Sequence, residues 1–187
     1  GSSERSIVTY LVDHPTDYKG AFARLRRELR SLYFAAFQSH LWNLILAGWI
    51  ERNTRVEQRA PVELKLGPFP FPVGLDRDQR DAIAAVPLPL PSSRNRPDGG
   101  PASEISTDVL AAFGLTWPDM RVKHLKDVFF SKGARAPLLV PENVRTEVVD
   151  DELHRKKKAI RLAFELPKGS YATILVKRIT EAAGSAL

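Results

Sequence analysis

The chain has 187 residues, 43% of them apolar and 27% charged, a size and composition that suit one globular domain, or one domain and part of another. It contains no cysteine, which excludes disulfides and thiolate metal sites and agrees with a cytoplasmic location. No apolar run reaches the roughly 18 residues of a membrane span, and the N-terminus lacks the basic and apolar regions of a secretory signal.

The net charge of +6 is unevenly spread. Residues 121–187 carry fourteen Lys and Arg against eight Asp and Glu, whereas residues 1–120 are balanced. An anionic partner suits that C-terminal third, nucleic acid first; a solvated basic surface is the plainer alternative.

In chain order, Ile7–Val12 is a short apolar run that ends a helix or a strand. His14-Pro15-Thr16-Asp17 reads as a turn followed by a helix start. From Tyr18 to Glu51 the pattern is helical, with Phe22, Leu25, Leu29, Tyr33, Phe37, Leu41 and Ile45 on one broad face. That length predicts two helices with a break near Arg30–Ser31. The first is basic, through Lys19, Arg24, Arg26, Arg27 and Arg30. The second is almost uncharged and is expected to be deeply buried. Val62, Leu64 and Leu66 alternate as a strand, which Gly67–Pro72 is expected to stop. Asp76–Val86 predicts a short helix. Pro87–Ala102 predicts a long loop, of the kind that is functional or mobile. Ser103–Phe113 predicts a helix ending at Gly114. Val144, Thr146 and Val148 alternate, as do Ile160, Leu162, Phe164 and Leu166, which predicts an antiparallel pair linked by the charged Asp150–Lys158 segment. Ala172, Leu175, Val176, Ile179 and Ala183 then recur at helical spacing.

The junction between that last strand and helix is Leu166-Pro167-Lys168-Gly169-Ser170-Tyr171-Ala172-Thr173. Pro167 closes the strand, and Gly169 permits a positive φ or a close approach. Ser170 is the expected N-cap, which places Tyr171 in the first turn beside free N–H groups that favour a phosphate. Arg155-Lys156-Lys157-Lys158 at the hairpin tip suits either phosphate contact or a solvated turn. No phosphate-binding GxxxxGK[ST] or GxGxxG motif occurs. His14, His40, His124 and His154 share no metal-ligand spacing, and His40 reads as a core histidine. Asp150, Asp151 and Glu152 read as solvated carboxylates rather than catalytic ones. Within the apolar helix, Gln38, Ser39 and Asn43 must find partners if buried, and amides there are expected to tie down a neighbouring loop.

Two segments together resemble the TruD family of tRNA pseudouridine synthases. Ala36-Phe37-Gln38-Ser39-His40-Leu41-Trp42-Asn43 is similar to a family helix of pattern A-x-Q-S-x-L-[WF]-N. Leu166–Thr173 is similar to the family's L-P-x-G-S-[YF]-A-T signature. Phe130–Leu138 has the character of a Gly-Arg segment ahead of the last hairpin. The resemblance implies an α+β fold in which residues 1–140 form an insertion domain, with the Pro-rich loop at 87–102, and residues 141–187 form the final hairpin and helix of the catalytic domain. It implies uridine isomerisation in the D arm of tRNA, with RNA held between the two domains and no cofactor, metal or membrane involved.

The family's catalytic Asp lies in a Gly-x-Lys-Asp-[KR] motif that this sequence does not contain. Leu125-Lys126-Asp127-Val128 is a superficial echo, and the role is not carried to Asp127. On this reading the chain carries no catalytic residue and is inactive alone. A separate chain holding the N-terminal catalytic half is one expected partner. Tyr171 matches the aromatic that lies against the target base, with Lys168, Gly169 and Ser170 beside it; its alternative is a core aromatic packing the last helix. Arg155, Lys156, Lys157, Lys158, Arg24 and Arg27 are candidates for the RNA backbone. The competing functions are a non-catalytic RNA-binding module and a purely structural domain.

Overall fold

One helix, α3 (Arg27–Asn53), runs unbroken for 27 residues, about 40 Å at 1.5 Å per residue. In the computed structural model of the chain, residues 2–121, 128–168 and 170–180 are described. Ahead of α3 come α1 (Ser2–Asp13) and α2 (Tyr18–Ala23). Asp17 caps α2 by accepting a hydrogen bond from the Gly20 N–H at 2.9 Å. The helix break therefore falls at Arg24–Arg26, not at Arg30–Ser31. Arg26 is extended at φ −59°, ψ 147°, and the Arg30 guanidinium reaches back to the Ala23 carbonyl at 2.7 Å. No Gly or Pro marks this break, so the apolar pattern runs through it.

The expectation that the uncharged part of α3 is deeply buried holds only from Gln38 onward. Leu32 is 62% and Tyr33 51% exposed, and Ala35 and Ala36 also face solvent. Beyond them, Trp42, Ile45 and Trp49 pack with Ile83, Leu88, Leu90 and Ala102. Leu41 packs with Leu110, Trp117 and Met120. Each fully buried aliphatic side chain here contributes about 1.5–3 kcal/mol. The indoles are satisfied as well: Trp42 Nε1 donates to the Leu88 carbonyl and Trp49 Nε1 to the Ile83 carbonyl, both at 3.2 Å. Arg59 closes the C-terminal end of α3 by donating to the Glu51 and Thr54 carbonyls.

β1 (Arg59–Leu64) pairs antiparallel with β2 (Gly67–Pro72), so Gly67–Pro72 is a strand rather than a stop. Its prolines fall at alternate positions 68, 70 and 72, which puts every missing N–H on the edge away from β1. The turn needs Gly67, whose φ is +114°. α4 (Arg77–Ala84) begins with a capping box between Asp76 and Gln79. The Pro-rich segment then dives into the core instead of lying on the surface. Leu88–Pro89 (β3) pairs with Ala134–Arg135 (β4), and Leu88, Leu90, Pro91 and Ser92 are buried. α5 (Pro101–Ala112) ends as expected. Gly114 has φ +66°, and the Leu115 N–H bonds the Leu110 carbonyl at 2.9 Å.

β5 (Glu142–Asp150) and β6 (Lys158–Glu165) form the predicted antiparallel hairpin, with Val148 opposite Ile160. α6 (Ala172–Thr180) follows. Among the described residues, helices and three antiparallel two-stranded sheets make an α+β fold. After Pro137 no described residue is buried. Among the described residues no helix is long and apolar enough to cross a membrane.

Candidate nucleic-acid interface

β6 carries the octapeptide out to the surface. Leu166 is half-buried, and Pro167 and Lys168 are exposed. The Ser170 N–H donates to the Pro167 carbonyl at 3.1 Å, which tightens the turn, and the Ile174 N–H donates to the Tyr171 carbonyl at 3.1 Å. α6 begins at Ala172, so Tyr171, not Ser170, stands immediately ahead of the helix. The reason is local: the bond from Ser170 back to Pro167 makes Ser170 part of the turn. Tyr171 is 70% exposed, so it is not a core aromatic in this chain. Its ring is available for stacking on a planar partner. Gly169 lies outside the described residues, as do His124 and Asp127.

The hairpin is amphipathic, and its apolar face is bare. Val144, Val148 and Ile160 are 53%, 68% and 67% exposed; Thr146, Leu162 and Phe164 share that face by the period of two. The opposite face is mixed, with an Arg161–Glu147 ion pair at 3.2 Å beside Val149, Ala159 and Ala163. Ile174, Val176 and Ile179 of α6 are also 41–55% exposed. Arg178 reaches from α6 to the Pro72 carbonyl at 3.4 Å.

The basic tip, Arg155 to Lys158, is fully exposed. The eight residues of β6 separate it from the octapeptide by about 25 Å at roughly 3.3 Å per residue. One nucleotide cannot touch both. The tip carboxylates have structural work to do. Asp150 pairs with Lys158 at 2.5 Å. Asp151 Oδ1 accepts from the Leu153 and His154 N–H groups at 2.8 and 2.9 Å.

The arginines before α3 form a third location. The Arg24 guanidinium lies 3.9 Å over the Tyr10 ring, and Arg27 is exposed at the first position of α3. The Tyr10 hydroxyl donates to Asp17 Oδ2 at 2.6 Å. That bond, helped by the Gly20 N–H, holds the Asp17 carboxyl below its usual range, and in return pushes the Tyr10 hydroxyl up. His14 stacks on Tyr10 with centroids 4.5 Å apart. His40 is half-buried, edge-on to Phe113. No cluster of His, Cys, Asp or Glu fit for a metal occurs among the described residues.

Gln38 fulfils the expected loop-tying role. Its Nε2 donates to the Pro91 and Ser131 carbonyls at 2.8 and 2.9 Å, and its Oε1 accepts from the Ser131 N–H at 3.1 Å. Asn43 faces solvent. One grouping was not legible as a site in the sequence. Phe22, Tyr33, Phe34 and Phe37 line an open cleft, on the segment of sequence that also carries Arg24, Arg26, Arg27 and Arg30. The signal for it is the interleaving of aromatic and basic residues between positions 19 and 37.

The family model for tRNA pseudouridine synthase D matches residues 1–64 and 74–179. The chain is 31% identical over 181 residues to a Methanopyrus kandleri protein named "Probable tRNA pseudouridine synthase D", covering 97% of this chain and 40% of that one. It is 25% identical to the Aquifex aeolicus "tRNA pseudouridine synthase D", over 87% of this chain and 40% of that one. A crystal structure of a Methanosarcina mazei protein designated TruD superposes with a TM-score of 0.63 at 27% identity, over 94% of this chain and 44% of that one. The chain thus spans about two-fifths of the length of these relatives.

Proposed function

The chain belongs to the tRNA pseudouridine synthase D family, and on that footing we propose that it is the C-terminal portion of an enzyme that isomerises uridine to pseudouridine in tRNA. The observation that carries this is Tyr171. It is an exposed aromatic in a Leu-Pro-Lys-Gly-Ser-Tyr-Ala-Thr turn at the mouth of a helix. An enzyme that acts on a base must draw it out of the stack and hold it against such a face. Lys168, Gly169 and Ser170 precede Tyr171 in the sequence and join it as substrate contacts, and Arg155–Lys158 contact the RNA backbone at a distance of several nucleotides.

The catalytic carboxylate comes from the part of the family's length that this chain does not span, on the same polypeptide or on a partner chain. Residues 1–140 act as the insertion domain. Residues 141–187 complete the catalytic domain, whose sheet covers the bare face of Val144, Val148 and Ile160. That face speaks against a stand-alone RNA-binding module, which would not leave an aliphatic sheet surface in water. A tRNA substrate is consistent with work in the cytoplasm, and the family resemblance implies a reaction without a cofactor.

The test is direct. The isolated chain should bind tRNA with an affinity that falls steeply with salt and should form no pseudouridine. Turnover by the isolated chain would overturn the assignment of the carboxylate to another segment. In the complete enzyme, Tyr171→Ala should cost about 1–3 kcal/mol of base stacking, while Tyr171→Phe should be nearly silent. Equal damage by both changes would mean that the hydroxyl, not the ring face, is what matters.

A further inference from the structure

The cleft between α2 and the first turns of α3 has aromatic walls, and the chain that forms it is rich in arginine. Its lining is Phe22, Tyr33, Phe34 and Phe37. The Phe22 ring stands edge-on to Phe34, with centroids 5.6 Å apart at 76°, and 6.3 Å from Tyr33. Phe34 continues the stack inward to Phe130, 5.1 Å away. Phe34 is therefore anchored in the body, while Tyr33 at the outer end remains 51% exposed.

The segment from Tyr18 to Tyr33, which supplies two of these rings, holds five cations, Lys19, Arg24, Arg26, Arg27 and Arg30, against the single acid Glu28; Arg24 lies over Tyr10, and Arg26 and Arg27 are exposed. Arg30 precedes Tyr33 and Phe34 by three and four positions, and Arg27, the first residue of α3, precedes Arg30 by three. The charges and the rings thus share one side of the helix. The bond from Arg30 to the Ala23 carbonyl holds its guanidinium at the junction.

We propose that this cleft is a second nucleotide-binding site, which takes an unpaired base of the RNA against Tyr33 while its flanking phosphates lie on the surrounding arginines. The proposal rests on the reading of the chain as RNA-binding. A purely apolar protein surface covering the same cleft would have to desolvate the exposed Arg26 and Arg27 without pairing them, which is costly. A nucleotide presents a π face and phosphate charge from one molecule, which is what the aromatic walls and the arginines can satisfy together. The site is separate from Tyr171, which belongs to the turn ahead of α6.

The experiment measures binding of the chain to a short single-stranded oligouridylate and to an abasic ribose-phosphate chain of equal length. Tyr33→Ala is half-exposed and should leave the circular dichroism unchanged. It should weaken the oligouridylate by about 5- to 150-fold and leave the abasic chain unaffected, and Tyr33→Phe should restore binding. Arg26→Gln combined with Arg27→Gln should weaken both ligands and reduce the salt slope. If wild-type chain binds tRNA but Tyr33→Ala binds oligouridylate as tightly as wild type, the cleft is not a base site, although the family function stands. If Tyr33→Ala instead dissociates a dimer in sedimentation with no effect on RNA, the cleft is a protein contact and the proposal is overturned. If wild type binds neither RNA at low salt, the RNA-binding reading falls along with the cleft.

Discussion

Replacing Gln38 by Leu tests the reasoning about α3 most sharply. Gln38 is 4% exposed, and its amide makes three hydrogen bonds, to the Pro91 carbonyl and to both backbone groups of Ser131. Leucine has a similar volume, so no large cavity opens and the loss is almost purely polar. A buried group left without a partner costs about 1–3 kcal/mol. Pro91 is buried and bears that cost in full. Ser131 is exposed and recovers part of it from water. The buried leucine adds back about 1 kcal/mol of apolar transfer. The expected net loss is about 2–3 kcal/mol. Urea unfolding followed by tryptophan fluorescence would measure it, since Trp42, Trp49 and Trp117 are all buried. Hydrogen exchange at the Ser131 amide should accelerate in parallel. Gln38→Glu should be worse at neutral pH, where a carboxylate would face two carbonyls, and should recover on acidification. A loss under about 0.5 kcal/mol, or unchanged protection at Ser131, would show that this amide does not hold the two loops to α3.

The other predictions concern single contacts. Tyr10→Phe should let the Asp17 carboxyl rise toward its usual range, because the Tyr10 hydroxyl is the largest cause of its depression. A depressed folded-state value stabilises the fold above the unfolded value and is lost as pH falls through the folded one, so the variant should be less sensitive to acid. An unchanged Asp17 titration by NMR would count against that bond. Gly48→Ala places a methyl 2.9 Å from Ile105 Cγ2. Overpacking of about 1–3 kcal/mol against a helix gain of about 1 kcal/mol predicts a modest drop in thermal stability, relieved by Ile105→Val; a rise would show that α3 and α5 are free to shift. Val148→Lys changes a residue 68% exposed, so the isolated chain should lose less than about 0.5 kcal/mol. The complete enzyme should lose assembled, active protein, and normal assembly would mean that this face is not covered.

Elements set by local chemistry were legible. The hairpin follows from a period of two, α4 falls within the expected Asp76–Val86, and the end of α5 follows from Gly114. What failed was decided at long range. The helix break at Arg24–Arg26 is fixed by Arg30 reaching back to Ala23, which no periodicity encodes. β2 hid behind its prolines because their alternation, not their number, decides whether a ladder survives. The segment from Leu88 to Ser92 reads as loop by composition, yet it fills the space between Trp42 and the turn at Gly133, where the Leu90 N–H bonds the Gly133 carbonyl at 2.9 Å. Lack of charge on Leu32 and Tyr33 suggested burial, but hydropathy does not say which part of a long helix has a neighbour. Of the candidate site, the exposed basic tip was foreseen, whereas the sequence left Tyr171 open between a base contact and a core aromatic, and its 70% exposure excludes the second in this chain. Their separation along β6 became clear only once the hairpin was laid out.

On the proposed function, the exposed sheet face also determines when Tyr171 can act. A two-stranded hairpin is marginal alone and gains independent stability only with further strands or a packed face. The octapeptide hangs from the end of β6, so the direction of the Tyr171 ring is fixed only when that sheet is completed. The cleft at Tyr33, by contrast, is built on α3, which the core of Trp42, Ile45 and Trp49 holds in place. In the isolated chain, Tyr33→Ala should therefore weaken oligouridylate binding while Tyr171→Ala changes it by less than about twofold, the scale of a neutral surface substitution. In the complete enzyme Tyr171→Ala should reduce turnover at saturating tRNA, and Tyr33→Ala should act mainly through KM, because stacking far from the reacting base contributes equally to ground and transition states. Paired measurements of isolated-chain affinity and complete-enzyme kinetics for the two variants would decide it. A Tyr171→Ala chain that loses RNA affinity as strongly as Tyr33→Ala would mean that the turn is already rigid without the rest of the sheet.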